Sequence, residues 1–429
     1  MNVLFIGMGY VGTTMGLVLA NKGHTVTGLD INKEKIDTLN KGEVYFYEPG
    51  LQEMLATELN KRIFFTTNAK EAVEENDLIF ITVGTPSLDD GSADLIYVKE
   101  AAKLIRKYRN SEKVVIVKST VPIGTTEKVH EWINQNGDKK PLVKTVMNPE
   151  FLREGSALDD ALNPDRIVIG SNDVHAASQM NKLYQNWSCP FLHTTPKAAE
   201  MIKYASNSFL ATKISFINEI AKLCDTIDVN IQDVSKGMGL DDRIGPQFLQ
   251  AGLGYGGSCF PKDVRELLVT ADQNQMPLEI LKKVDEVNKN QANYFIGKIK
   301  KRIPSLKKKK VVVYGLSFKP NTDDIRESVS YSILEQLIEE KAEIVVHDPI
   351  VKLSSQWLNK GVVQCDDAYE AAKCAEVILI CTDWNHYKNL DWLKVRNVVS
   401  NPVIFDGRNT LNGEDIKKYQ FHYEGIGFC

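Results

Sequence analysis

The chain has no uninterrupted apolar run long enough to cross a bilayer, so no helical membrane span is expected. It has no basic excess: the formal net charge is -4 and the pI lies near 6.1, which argues against nucleic-acid binding. Acidic bulk charge leaves an anionic substrate open, because cations gathered at a cleft decide that locally. No Cys-x-x-Cys pair and no His/Cys cluster offers zinc a site, so no metal is expected. The seven cysteines, at 189, 224, 259, 365, 374, 381 and 429, are odd in number and widely scattered. That pattern reads as reduced cytosolic thiols rather than a disulfide framework. Met1–Ile6 runs straight into a glycine turn without a basic prefix or cleavage region, so a secretory signal is not expected and the cytoplasm is the expected compartment.

What is present fits a globular protein of several domains. Apolar residues make up 43% and charged residues 25%, and 429 residues exceed one ordinary core, so two or three domains are expected. The class is α/β. Residues 1–195 alternate β-branched runs with helical patterns: Val3–Ile6, Thr25–Leu29, Leu78–Val83, Val114–Lys118, Leu142–Val146 and Ile167–Ile169 are the expected strands of a doubly wound parallel, Rossmann-like sheet. Thr85-Pro86 and Thr120-Val121-Pro122 then follow strand ends, where such sheets bind ligands. Residues 196–302 form a central helical segment. Thr195 caps it, Pro196 opens it, and the pattern runs to about Cys224 without Gly or Pro, a rod of roughly 40 Å suited to a domain spine or a dimer interface. A glycine-rich stretch at 237–257 interrupts the helices. The solvated basic run Lys307–Lys310 marks the entry to a second Rossmann-like domain, 303–429, with strands at Val311–Tyr314, Ile344–Val346, Val377–Cys381 and Val403–Phe405.

Gly7-Met8-Gly9-Tyr10-Val11-Gly12 lies between an apolar strand and a helical pattern. In such a turn the first glycine permits the bend, the second admits a pyrophosphate and the third lets the helix pack against the strand. The phosphates meet the helix N-terminus. Asp30 ends the next strand, where a carboxylate accepts from the adenosine ribose hydroxyls and repels a 2′-phosphate; this favours NAD over NADP, with Lys35 able to touch the ribose or phosphate edge.

Cys259 differs from the other thiols in its setting. It follows Gly254, Gly256 and Gly257 and precedes Lys262 and Asp263. A nearby cation favours thiolate, and thiolate addition turns an aldehyde into a thiohemiacetal that donates hydride readily and leaves a hydrolysable thioester. A core thiol is the alternative, and it is the reading given to Cys189, Cys224, Cys374 and Cys381. Lys203 and Asn207, four apart on one helix face, can stabilise and orient an oxyanion; solvated surface residues are the alternative. Glu150 and Glu154 are again four apart after a strand, suited to orienting water and touching cofactor, or simply to a Glu-rich helix start. Lys319, Asp323, Asp324 and Arg326 follow one strand of the second domain and Arg408 follows another. These cations converge on an anionic ligand or belong to salt-bridged surface loops, and the fork of Arg408 suits a diphosphate.

These stretches, with Val83–Pro86, Lys118–Thr125, Asn148–Ala157, Lys203–Asn207, Gly252–Asp263, Phe318–Ser328 and Phe405–Asn409, resemble the UDP-glucose-oxidising branch of the UDP-glucose/GDP-mannose dehydrogenase family over essentially the whole chain. The resemblance implies NAD-dependent, four-electron oxidation of UDP-glucose at C6 to UDP-glucuronate, with Cys259 as nucleophile. It implies that Lys203, Asn207 and Asp263 manage the alkoxide, thiohemiacetal and water, with Thr120 and Glu150 positioning the hydrolytic water. Gly7, Gly9, Tyr10, Val11, Gly12, Asp30, Lys35, Thr85, Thr120, Glu154, Lys262 and Arg326 fall on the NAD side. Glu150, Phe151, Leu152, Lys203, Asn207, Phe248, Leu249, Tyr255, Gly256, Lys319 and Arg408 fall on the nucleotide-sugar side. Arg243 resembles an arginine given to a neighbouring subunit's site, which implies a homodimer. Two departures are Met8, bulkier than usual, and the loop at Gly84 and Ser87–Asp90. The same chemistry on GDP-mannose or a UDP-N-acetylhexosamine, and a silent nucleotide-sugar binder, are the alternatives.

Overall fold

The computed structural model describes residues 1–135 and 140–428; Cys429, the last of the seven thiols, lies outside the described residues. The chain forms two compact units, Met1–Ser206 with Val269–Met276, and Asn207–Leu268 with Pro277–Cys429.

The first unit is built on eight strands: β1 (Asn2–Ile6), β2 (Thr25–Leu29), β3 (Ile63–Thr66), β4 (Leu78–Ile81), β5 (Lys113–Val117), β6 (Val143–Met147), β7 (Ile167–Gly170) and β8 (Phe191–Thr194). They lie in the order β3-β2-β1-β4-β5-β6-β7-β8. Successive side chains point to opposite faces, so one sheet makes two cores. Val3, Phe5, Phe80, Ile116 and Val146 pack on one face. Leu4, Ile6, Ile79, Ile81, Val115 and Val117 pack on the other. Burial on both faces is why the central strands read as unbroken apolar runs.

Two features depart from the expected parallel sheet. β7 runs antiparallel to β6, paired at Met147–Gly170. An antiparallel neighbour needs no crossover helix on the far side of the sheet, so nothing in the alternation of elements announces it. β3 and β8 were not expected at all. They are edge strands of four residues each, with Phe64 and Leu192 exposed, and lack the apolar continuity of buried strands.

The second unit carries β9 (Lys310–Tyr314), β10 (Glu343–His347), β11 (Val363–Gln364), β12 (Val377–Ile380), β13 (Val403–Asp406) and β14 (His422–Gly425) in the order β11-β10-β9-β12-β13-β14, all parallel. Again the edges, β11 and β14, are the strands that the residue pattern does not reveal. Val311, Val313, Leu379 and Phe405 pack one face under Ile217, Ala221, Phe295 and Ile299. Val312, Tyr314, Ile378 and Ile404 fill the other face. Of the basic run, Lys307 and Lys308 are exposed, whereas Lys309 pairs with Glu376 and Lys310 opens β9 and donates to the Lys373 carbonyl.

In each sheet the chain leaves outward and returns to the other side of its first strand, between β1 and β4 and between β9 and β12. Those switch points open crevices at the strands' carboxyl ends. A helix of 32 residues, Pro196–Ile227, begins in the first unit and continues into the second. It spans about 48 Å. The Thr195 hydroxyl caps it by accepting from Ala198 N at 3.3 Å.

Candidate active site

The nucleotide turn sits between β1 and helix α1 (Tyr10–Asn21) at the first switch point. A Cβ on Gly12 would stand 2.1 Å from the Gly7 carbonyl oxygen, so only glycine lets the helix start this close to the strand. A Cβ on Gly9 would meet nothing within 4 Å, the open space that an approaching pyrophosphate requires. Met8 is fully buried and points into the core, so its bulk does not crowd this space. The Asp30 carboxylate accepts from Met8 N and from Asn32 N, each at 2.9 Å, with the Lys35 ammonium 4.0 Å away. Each oxygen retains a lone pair for a ribose hydroxyl. This turn, helix end and carboxylate fit NAD, and Asp30→Ala is expected to weaken NAD binding more than NADP binding, checked by paired cofactor titrations.

Next to this turn, the loops after β4 and β5 are tied together. Thr85 Oγ1 donates to the Thr120 carbonyl at 2.8 Å, and Ser119 Oγ donates to the Val83 carbonyl at 2.6 Å. The loop after β6 contributes Glu150. Lys203 donates from Nζ to both the Glu150 carbonyl and its Oε1, each at 2.8 Å, and Leu152 N donates to Oε2 at 2.5 Å. Both side chains of this ion pair are buried. Burial works to raise the Glu150 carboxyl pKa, but the Lys203 charge and hydrogen bond, the Leu152 N–H and the Lys118 charge together hold it below the usual carboxylate range. Lys118, not among the expected site residues, directly follows β5, is buried and donates to the Asn148 side-chain oxygen at 3.2 Å. Burial pulls its ammonium pKa down to about 8, which Glu150 opposes and Lys203 reinforces. Residues 148–156 form no helix, and the helix Ala157–Leu162 starts later, so Glu150 and Glu154 belong to a loop rather than a Glu-rich helix start. Phe151 lies under Arg166, whose guanidinium stands 3.9 Å from the ring centroid.

In the second unit, Cys259 directly precedes the helix Phe260–Gln273, at the end whose dipole favours an anion. Asp263 N donates to the Cys259 carbonyl at 2.8 Å, and Ser258 Oγ is 3.5 Å from the thiol sulfur. Asp263 is almost fully buried and is bracketed: Lys262 Nζ reaches Oδ1 at 2.7 Å and Asn207 Nδ2 donates to Oδ2 at 2.6 Å. Lys203 and Asn207 are therefore not solvated surface residues; each closes a buried contact, one in each unit.

The cysteine loop is pinned through its own peptide groups. Asn218 Oδ1 accepts from Gly252 N at 2.7 Å, and Gln291 Nε2 donates to the Gly252 carbonyl at 2.7 Å. Asn288 takes both sides of Tyr255, accepting from its N–H at 2.8 Å and donating to its carbonyl at 2.9 Å. Gly257 N donates to the Arg326 carbonyl at 2.8 Å. Arg408, assigned above to a diphosphate, spends its guanidinium on three carbonyls: Cys381 at 2.9 Å, Gly254 at 2.8 Å and Phe318 at 3.2 Å. Its fork thus anchors the glycine loop to the carboxyl ends of the second sheet. Arg326 lies bidentate on Asp324. Lys319 stacks its ammonium over Phe318. Leu249 and Tyr255 are buried, Gly256 packs against the Glu327 carbonyl, and Phe248 holds φ 64°, a costly region for a bulky residue and a frequent mark of a functional site. Arg243 is exposed, paired with Asp241.

The six described cysteines are thiols rather than disulfides. Cys224 and Cys381 are buried as core residues, and burial pushes the Cys381 thiol up to about 12. Cys374 is exposed, against the expectation of a core thiol. Among the described residues there is no cluster of His, Cys, Asp and Glu that could hold a metal, and no helix long and apolar enough to cross a membrane.

The fold agrees with comparison to known proteins. Residues 1–188 match the NAD binding domain, 197–290 the central domain and 312–413 the UDP binding domain of the UDP-glucose/GDP-mannose dehydrogenase family. The chain belongs to that family, and its cofactor is NAD. It is 41% identical to UDP-glucose 6-dehydrogenase YwqF of Bacillus subtilis, over 100% of this chain and 98% of that protein. It is 41% identical to UDP-glucose 6-dehydrogenase of Rhizobium meliloti, over 100% and 99%. The solved structure of a UDP-glucose dehydrogenase from Pyrobaculum islandicum superposes with a TM-score of 0.91 at 39% identity, covering 100% of this chain and 98% of that one.

Proposed function

We propose that the protein oxidises UDP-glucose at C6 to UDP-glucuronate, taking four electrons in two hydride transfers. The observation that carries this reading is Cys259 at a helix start on a pinned loop, four residues before an Asp263 carboxylate held between Lys262 and Asn207. NAD, bound at the Gly7–Gly12 turn, supplies the hydride acceptor for both oxidations. Lys203 and Asn207 stabilise the C6 oxyanion, and Asp263 receives the alcohol proton through water. The Cys259 thiolate adds to the aldehyde carbon, forming a C–S bond and an alkoxide that is protonated to the thiohemiacetal. After the second hydride leaves carbon the product is a thioester. Water, oriented by Thr120 and Glu150, adds to it and expels the thiolate, so one alcohol and one water yield one carboxylate, two reduced cofactors and three protons.

The remaining assignments follow the same reading. Tyr10, Val11, Lys35, Thr85, Glu154, Lys262 and Arg326 serve the cofactor. Phe151, Leu152, Phe248, Leu249, Tyr255, Gly256, Lys319 and Arg408 serve the nucleotide sugar, with Arg408 acting through the loop that it anchors. The functional segments are 1–195 for the cofactor, 196–302 for the cysteine loop and 303–429 for the UDP-sugar, in a cytoplasmic homodimer. The exposed apolar stripe Phe209, Phe216, Leu223 and Ile227 on the long helix supports the dimer. These residues recur at seven- and four-residue intervals, the spacing of a helix seam. The exposed Arg243 is then the residue given to the neighbouring copy.

The deciding experiment measures NADH released per molecule of limiting UDP-glucose, followed to completion by absorbance. Two NADH per sugar is the expected result. One NADH would mean that oxidation stops at the aldehyde; none, with NAD-competent protein, would transfer the proposal to GDP-mannose or the UDP-N-acetylhexosamines, and then to a silent binder.

A further inference from the structure

Residues 41–50 contain neither helix nor strand, yet they clasp the nucleotide turn at three points. The Tyr45 hydroxyl donates to the Met8 carbonyl. The Phe46 ring packs against Tyr10, with centroids 4.9 Å apart. Glu48, only 5% exposed, makes the third contact by accepting the Tyr10 hydroxyl at Oε2. The same carboxylate reaches a second segment: Gly155 N donates to Oε2 at 2.6 Å and Leu158 N donates to Oε1 at 3.2 Å. Gly155 N also lies 3.2 Å from the Tyr10 hydroxyl oxygen, closing a small ring of contacts.

The partners of Glu48 give this ring its meaning. Tyr10 is the first residue of α1, the helix end turned toward a pyrophosphate. Gly155 follows Glu154 in the loop after β6. A buried carboxylate that receives three donors is worth more than three neutral contacts, because each bond is charge-assisted and no water competes. Burial and the neighbouring Glu48 keep the Tyr10 phenol protonated far beyond its ordinary range, so it remains a donor throughout the working pH span.

We propose that Glu48 is a positioning residue for NAD: it fixes the start of α1 against the 153–158 segment, the end of the loop after β6 and the first turn of the helix that follows, so that both meet the dinucleotide already in place. This rests on the reading that Tyr10 and Glu154 serve the cofactor. Binding then spends little free energy on ordering the two segments.

Glu48→Gln tests this directly. An amide offers one acceptor oxygen and one NH2, so either the Tyr10/Gly155 donors or the Leu158 N–H must face another donor. In the full chain, the Kd and KM for NAD are expected to rise about tenfold, while kcat at saturating NAD and the Kd for UDP-glucose stay within about twofold. Tyr10→Phe, which removes one of the three bonds and leaves the charge in place, is expected to raise the NAD Kd about two- to threefold and covers the case in which Glu48→Gln does not fold. Equal weakening of both ligands would reduce Glu48 to a structural residue, and an unchanged NAD Kd in the folded variants would also overturn the proposal. Asp30→Ala, measured alongside, separates the causes. If it weakens NAD and Glu48→Gln does not, the positioning role alone fails. If neither weakens NAD, the cofactor placement falls and the positioning role with it.

Discussion

Cys259→Ala is expected to abolish net formation of the acid, with turnover falling by about 10³-fold or more, while NAD and UDP-glucose still bind. The reasoning starts from the second oxidation. An aldehyde carbon carries no alkoxide to push hydride away, and the thiol adduct supplies one. Alanine removes the thiol that forms that adduct, yet leaves the backbone that Asn218, Asn288, Gln291 and Arg408 hold. Cys259→Ser keeps a nucleophile of much higher pKa and should act, if at all, through a far slower ester. Equilibrium titration of both ligands, together with rapid quench analysis of the sugar, provides the readout. Full turnover by the alanine variant would remove the covalent mechanism, whatever the substrate.

Lys203→Met should damage stability as well as catalysis. It leaves the buried Glu150 carboxylate without the cation that sits 2.8 Å from it, and breaking a buried pair by removing one partner costs about 3–5 kcal/mol. Glu150→Gln in the same background is expected to restore part of that loss, because the uncompensated charge disappears with it. The pH dependence follows from the direction of the Glu150 shift. In the native protein its pKa lies below the unfolded value of about 4.3, so the stabilisation is fully present above that value and lost as pH falls through the lower folded pKa. Without Lys203 the burial effect, now less opposed, raises the carboxyl, and the variant takes up a proton more readily folded than unfolded. The stability gap between the two proteins should therefore be widest near neutrality and narrow toward pH 4, measured by urea unfolding across that span. A gap independent of pH would show that the two charges are not coupled.

The sequence was most legible where spacing alone sets geometry. The four-residue interval of Lys203 and Asn207 placed both on one helix face, and the glycine turn with Asp30 arrives in register with β1, α1 and β2. Central strands were legible because burial on two faces demands an apolar run. The edges were not: β11 has two residues, and β14 reads His-Tyr-Glu-Gly, too short and too polar for an apolar run. Long-range polar contacts were equally opaque. Glu48 meets Gly155 across 107 residues, and Asn288 meets Tyr255 across 33, distances over which no local pattern pairs a side chain with a peptide group. Lys118 offered a faint signal, a cation directly after the apolar run Val114–Val117. Arg408 shows how a side chain's chemistry leaves its partners open. Its chemistry suggested a diphosphate, and the backbone carbonyls of three loops claim the same donors.

The anchors of the cysteine loop have a bearing on kinetics. Asn218, Asn288 and Gln291 carry amides, which do not ionise in water, and Arg408 keeps its charge at any pH an enzyme survives. The scaffold beneath Cys259 is therefore electrically silent: acid or alkali does not change the charge of any of these anchors. A bell-shaped rate profile measured on this protein would owe neither limb to the ionisation of these anchors, and its inflections can be assigned by substituting the titrating side chains one at a time.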